Sequence, residues 1–196
     1  MKVYVAYLPD IENRPDLLEK YQNLLSAEEK HRYQNMTDKI RQLQFLIGRA
    51  LIQETCHQSP KLLPSGKPVV KSGYISLAHS GPYVILALDE SPTGIDIEDT
   101  SKNKDFTRLA GRLKFRLTGD IRRSFYQQFT RYESTYKIAV SNRPLYHDYY
   151  SIDAFIVCVS SLNKNKKIEF TRTIPFTQNT PFIPTYLETE VQDDLS

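Results

Sequence analysis

Between Tyr74 and Glu98 the chain carries three short runs of strand character, Tyr74 to His79, Tyr83 to Asp89 and Gly94 to Glu98. Ser80-Gly81-Pro82 and Glu90-Ser91-Pro92 separate them and turn the chain, so the runs read as antiparallel-looking strands. Helical patterns lie on either side. Before the strands, Ser26 and Glu29 have capping-box spacing, and a longer pattern runs from Asp38 to Cys56. Its expected face is Ile40, Leu43, Ile47, Ala50, Leu51 and Glu54, with Arg41 and Gln44 off it. After the strands, Ile121, Phe125, Phe129, Tyr132, Tyr136 and Ala139 recur at helical steps from Ile121 to Val140. Val3 and Val5 alternate with Tyr4 and Ala6 in a first strand. Ile152 to Ser160 and Lys167 to Phe176 read as two strands around the turn Asn163-Lys164-Asn165. Strand–helix–strand alternation is scarce, and neither half repeats the other in sequence. The expected class is therefore α+β rather than a doubly wound sheet.

The 196 residues fit one domain, or two small ones sharing an interface. Apolar residues at 40% and charged residues at 25% can build an ordinary core. A net charge of +3 is too small to argue for nucleic-acid binding. Cys56 and Cys158 have neither zinc-site nor disulfide-framework spacing and read as buried thiols of a reducing compartment. The N-terminal MKVYVAYLPD lacks signal-peptide character, and YVILAL, Tyr83 to Leu88, is far too short to span a bilayer. A cytoplasmic protein that does not engage membranes is expected.

Four stretches could carry chemistry. In TGIDIEDT, Asp96 and Glu98 share one strand face with Cα atoms about 6.6 Å apart, close enough to converge on a hard cation. A solvated strand face is the plainer reading of that string. In FYQQFTRYESTYK, Glu133 and Lys137 are an i,i+4 pair, either a surface ion pair or an acid and a cation that meet a phosphoryl group. His79 ends an apolar strand beside a turn, and Lys67-Pro68 lies in the polar loop from Gln58 to Gly73. No nucleophile elbow, zinc-protease helix, P-loop or dinucleotide fingerprint occurs.

Taken together and in this order, LSAEEKHRYQ, RQLQFLIGRALI, SGKP, YISLAHSGPYVILAL, GIDIE and FYQQFTRYESTYK resemble the 4′-phosphopantetheinyl transferases of the surfactin-synthetase-activating type. The resemblance covers residues 24 to 140. The acidic stretch from Glu188 to Ser196 reads by itself as a frayed, flexible tail. The resemblance implies two similar α+β halves, 1–100 and 101–196, packed pseudo-symmetrically around coenzyme A. It also implies Mg²⁺-dependent transfer of phosphopantetheine from coenzyme A to a serine of an apo acyl or peptidyl carrier protein, by a monomer. Asp96, Glu98 and Glu133 would hold the metal, Glu133 would activate the carrier serine, and Lys137 would stabilise the pyrophosphate. Lys39, Lys67, Pro68 and His79 would contact coenzyme A.

The chain departs from the family pattern in several places. Phe129 and Tyr132 replace Trp and Lys of the helix motif, Ala78 a serine, and Gln44 an arginine for which Arg41 or Arg49 could compensate. Ser141-Asn142-Arg143-Pro144 replaces a Gly-Lys-Gly stretch. These losses motivate an alternative, a degenerate relative that binds coenzyme A or carrier without transfer. A Mg²⁺-dependent phosphohydrolase or nuclease accounts for the acids and for the basic stretch from Lys102 to Arg123. It leaves the SGKP and AHS strings unexplained. The basic stretch could also dock an acidic carrier.

Overall fold

A computed structural model describes residues 1–63, 66–138, 143–174 and 178–192. The chain opens with β1 (Lys2–Tyr7), the helices α1 (Pro9–Glu12), α2 (Pro15–Asn23) and α3 (Ala27–Gln34), and the long α4 (Lys39–Cys56). Next come β2 (Lys61–Leu62), β3 (Pro68–Val69), β4 (Tyr74–Ser80), β5 (Tyr83–Asp89) and β6 (Thr93–Asp99). After α5 (Phe106–Leu113) and α6 (Ile121–Ile138) follow β7 (Leu145–Ile152), β8 (Phe155–Ser161), β9 (Glu169–Ile174), β10 (Gln178–Pro181) and β11 (Thr185–Gln192). The class is α+β, as expected. No helix among the described residues is long and apolar enough to cross a membrane.

The chain divides into two compact units. The first joins Met1–Ser91 to Lys167–Ile183; the second joins Pro92–Lys166 to Pro184–Ser196. The sequence reading groups the GIDIE strand with the first half. By packing, β6 goes with the second unit, because it pairs antiparallel with β8 from Thr93↔Ser161 to Asp99↔Phe155 and lies under α6.

In the first unit a five-stranded sheet runs β10-β9-β1-β5-β4. The β4–β5 hairpin turns at the expected Ser-Gly-Pro, whereas β6 leaves for the other sheet. β9 does not form a hairpin with β8 around the Asn163–Asn165 turn. It returns to pair in parallel with β1, Val3 facing Phe170. α4 lays Leu46, Ile47, Ala50 and Leu51 on this sheet, joined in the core by Tyr21, Val84 and Leu86. α3 starts at the expected capping box, where the Ser26 hydroxyl accepts from the Glu29 amide and the Glu29 carboxylate accepts from the Ser26 amide. Asp38 caps α4 by accepting from the amides of Ile40 and Arg41. The polar loop holds the small β2–β3 pair.

In the second unit the sheet order is β11-β7-β8-β6, antiparallel throughout. Residues 188–192, expected to be frayed, pair with β7 in β11, since the free edge of β7 offers a full row of backbone partners. Residues 193–196 lie outside the described residues.

The burial of α6 departs from its apolar stripe. Tyr132 and Tyr136 are exposed, as is Ile121, while Tyr126, Thr130, Ser134 and Ile138 are buried; Ala139 lies outside the described residues. Of the expected stripe, Phe125 and Phe129 pack with Phe106 and Phe115 in an aromatic cluster. Toward the sheet the helix presents small hydroxyl residues, which permit close approach. The Thr130 hydroxyl donates back to the Tyr126 carbonyl at 2.8 Å. The α4 face shifts too: Ile40 is exposed and Gln44 is buried.

Candidate active site

Gly94 sets the approach of α6 to its sheet. A Cβ built there would lie 1.9 Å from the Ser134 carbonyl oxygen, so only glycine lets the helix backbone rest on β6. Ser134 is pinned in turn. Its hydroxyl shares a 2.7 Å hydrogen bond with that of Ser160, which shares another of 2.8 Å with Nδ1 of the buried His147. Strand partners face the same side, so Gly94 with Ser160, Asp96 with Cys158 and Glu98 with Ile156 form successive rows beneath the helix. One turn beyond Ser134, Lys137 reaches the second row.

There the Lys137 ammonium donates to Oδ1 of Asp96 at 2.6 Å and to the Ile95 carbonyl at 3.1 Å. Asp96 is buried, and its Oδ2 has no hydrogen-bond partner. Burial pushes the Asp96 carboxyl above the usual carboxylate range; Lys137 pulls it back, and the charge of Glu133 pushes it up again. Glu98 is likewise raised, by burial first and then by Asp96, against the pull of Lys104, Lys102 and Lys137. The Lys104 ammonium lies 3.9 Å from the Glu98 carboxylate. Burial and the neighbouring charges of Glu98 and Asp99 push the Tyr126 phenol up to about 12. Ile95 and Ile97 point the other way and are buried.

The alternation of GIDIE thus holds, but neither of its faces is a wet strand surface. Asp96, Glu98 and Lys137 meet in one place, and Glu133 is near enough for its charge to act on Asp96. Among the described residues no three Asp, Glu, His or Cys side chains converge as a ready metal cage. Two carboxylates nevertheless suit Mg²⁺, which takes hard oxygen donors and commonly completes its shell with substrate phosphate and water. The unpartnered Asp96 Oδ2 is an oxygen donor of the kind such an ion takes.

In the first unit, Pro68 and His79 line a cavity of about 750 Å³ together with Arg32, Arg41, Gln44 and Arg49. Arg49 is held 2.6 Å from the Glu29 carboxylate and lies over the Phe45 ring, 4.9 Å from its centroid. Gln44 donates to the Gly81 carbonyl at 2.8 Å, tying α4 to the β4–β5 turn. Lys39 does not line this cavity. It sits on another, mostly apolar one of about 450 Å³ with Leu8, Pro9, Ile40, Leu43 and Pro82, because the helical turn carries it to the opposite side of α4 from Arg41. Lys67 is half-buried in the β2–β3 loop, and burial lowers its ammonium. The arginines of the first cavity and Lys104 of the second unit are the groups that sequence reasoning singled out least. Arg41 and Arg49 entered only as stand-ins for a missing arginine, and Lys104 only as one of a basic run.

No protein-family model matches the chain. Over 113 residues, in a match that covers 50% of this chain, the chain is 30% identical to the 4′-phosphopantetheinyl transferase psf-1 of Bacillus pumilus. The likeness covers 48% of that protein, so this chain spans about half the length of the relative it matches.

Proposed function

We propose that this protein transfers the 4′-phosphopantetheine group of coenzyme A to a serine of an apo acyl or peptidyl carrier protein, leaving 3′,5′-ADP. The observation that carries the reading is the buried Asp96 beside the half-buried Glu98, with Lys137 on Asp96 and an Asp96 oxygen left without a partner. The likeness to a phosphopantetheinyl transferase supports the same reaction.

In the reaction the serine oxygen forms a bond to the phosphorus that bears pantetheine. The bond from that phosphorus to the bridging oxygen breaks, and the electron pair leaves on 3′,5′-ADP. Glu133 takes the serine proton, as a weak nucleophile requires a base within reach. Asp96 and Glu98 would hold Mg²⁺, with Glu133 as a further acid near it. The ion, when bound, neutralises the diphosphate. Lys137 delivers a fixed positive charge to the oxygen on which negative charge develops. In the first unit, the cavity lined by Arg32, Arg41, Arg49, Pro68 and His79 offers cationic and hydrogen-bonding groups of the kind that suit phosphates.

A second reading has a specific observation behind it. Lys137 occupies Asp96, and no three ligating side chains converge among the described residues. A relative that binds coenzyme A or a carrier without transferring would look the same.

Intact-mass spectrometry of several apo carriers incubated with the protein, coenzyme A and Mg²⁺ separates the two. The expected result is a carrier heavier by one phosphopantetheine, with no shift for Glu98→Ala or under chelation. Coenzyme A binding without a shift on any carrier would favour the non-transferring relative.

A further inference from the structure

Lys104 comes from the basic stretch that follows β6, and its environment differs from that of its exposed neighbours. Its ammonium lies 5.1 Å from the Tyr126 ring centroid and 5.9 Å from that of Phe129, both on α6. The Glu98 carboxylate is 3.9 Å away. The two rings steer the ammonium by cation–π attraction, and its side chain remains 31% exposed. The contact to Glu98 is at the outer limit of an ion pair and lacks a hydrogen bond, unlike the 2.6 Å contact of Lys137 to Asp96. Each carboxylate of the pair therefore has its own lysine, one tightly bonded and one loosely held over aromatic faces.

We infer that Lys104 is a second phosphate-contacting cation of this site, parked on Glu98 in the free protein and turned onto a phosphoryl oxygen when phosphate and metal bind. This rests on the reading of Asp96 and Glu98 as a Mg²⁺ and phosphate site. The geometry favours an exchange for three reasons. Glu98 cannot direct the same oxygen lone pairs to an ammonium and to a metal ion. A loosely held ammonium gives up its partner at small cost. The aromatic faces keep the freed charge within the site, so little side-chain entropy is lost when it meets the anion.

The exchange predicts opposite effects on two affinities. Lys104 competes with Mg²⁺ for Glu98, so its removal leaves Mg²⁺ binding unchanged or stronger. It also supplies one charge-assisted hydrogen bond to the anion, so its removal weakens phosphate binding by roughly 10- to 100-fold. A lysine that merely supports the local fold would weaken both together.

The test is isothermal titration calorimetry on the full chain and on Lys104→Ala and Lys104→Arg, titrating Mg²⁺ alone and then inorganic pyrophosphate at saturating Mg²⁺. Expected are undiminished Mg²⁺ affinity and much weaker pyrophosphate binding in Lys104→Ala, with pyrophosphate binding largely restored in Lys104→Arg. Equal pyrophosphate affinity in wild type and Lys104→Ala, a parallel loss of both affinities, or no pyrophosphate binding by the wild type would each overturn the inference. Carrier modification is scored separately. The calorimetric pattern with no modified carrier would sink the transferase reading and leave Lys104 as a phosphate contact. Modified carriers without the pattern would do the reverse.

Discussion

Burial works against an ionised Asp96, and the Lys137 ammonium 2.6 Å away offsets part of that cost. Removing the lysine leaves a buried carboxylate without compensation. Lys137→Ala is expected to destabilise the protein by about 1–3 kcal/mol near pH 7, below the range for a fully buried pair because the lysine is partly exposed. The pH dependence has a definite sign. The folded-state pKa of Asp96 is raised, so the protonated acid is the better-tolerated form. Stability from this group is fully present below its unfolded pKa and is lost as pH rises through the folded value. Lys137→Ala raises that value further and extends the loss to higher pH. Urea unfolding of both proteins at neutral pH and at about pH 4 should show midpoints that converge in acid. A gap independent of pH would mean that the lysine acts through packing. The facing of Asp96 and Glu98 to one side was legible from the two-residue period of a strand. Their pairing with particular lysines was not, because the partner of Asp96 lies 41 positions away on another element and its reach depends on how closely the helix lies.

At the scale of elements, α6 was legible as a helix and illegible as to its face. Apolar periodicity marks the side with the largest side chains, but beside its buried aromatics this helix also turns the small groups Thr130 and Ser134 inward and sets the Ser134 backbone over Gly94. Large residues there would hold the backbone several ångströms off the sheet and take Lys137 away from Asp96. Gly94→Ala is therefore expected to cost about 3 kcal/mol or more, at the severe end for overpacking, because the clash is with backbone. Ser134→Ala keeps the spacing and removes one link of the Ser134–Ser160–His147 chain, for about 1–2 kcal/mol. Thermal unfolding with calorimetric enthalpies checks both. A Gly94→Ala protein as stable as wild type would refute the spacing argument. The α4 face was misread for a related reason: Gln44 is polar yet buried, because its amide serves the Gly81 carbonyl.

At the scale of the molecule, the α+β class followed from the scarcity of strand–helix alternation, and the path of the chain between sheets did not. Periodicity locates strands but carries no information on long-range partners, so β9 could not be assigned to β1. Without residues beyond Lys166, the first sheet lacks two of its five strands and the second one of its four. A chain ending at Lys166 is expected to lose cooperative unfolding and dispersed amide resonances in both units. A well-dispersed spectrum for residues 92–166 in that truncated chain would contradict this. The return of β9 to β1 also matters during translation. Val3 leaves the ribosome long before Phe170 is made; at ordinary elongation rates the delay is roughly 10–30 s. Through that interval the β1 edge reserved for β9 remains an open template for other strands, and a holdase that binds the nascent chain there would guard the step on which the first sheet depends.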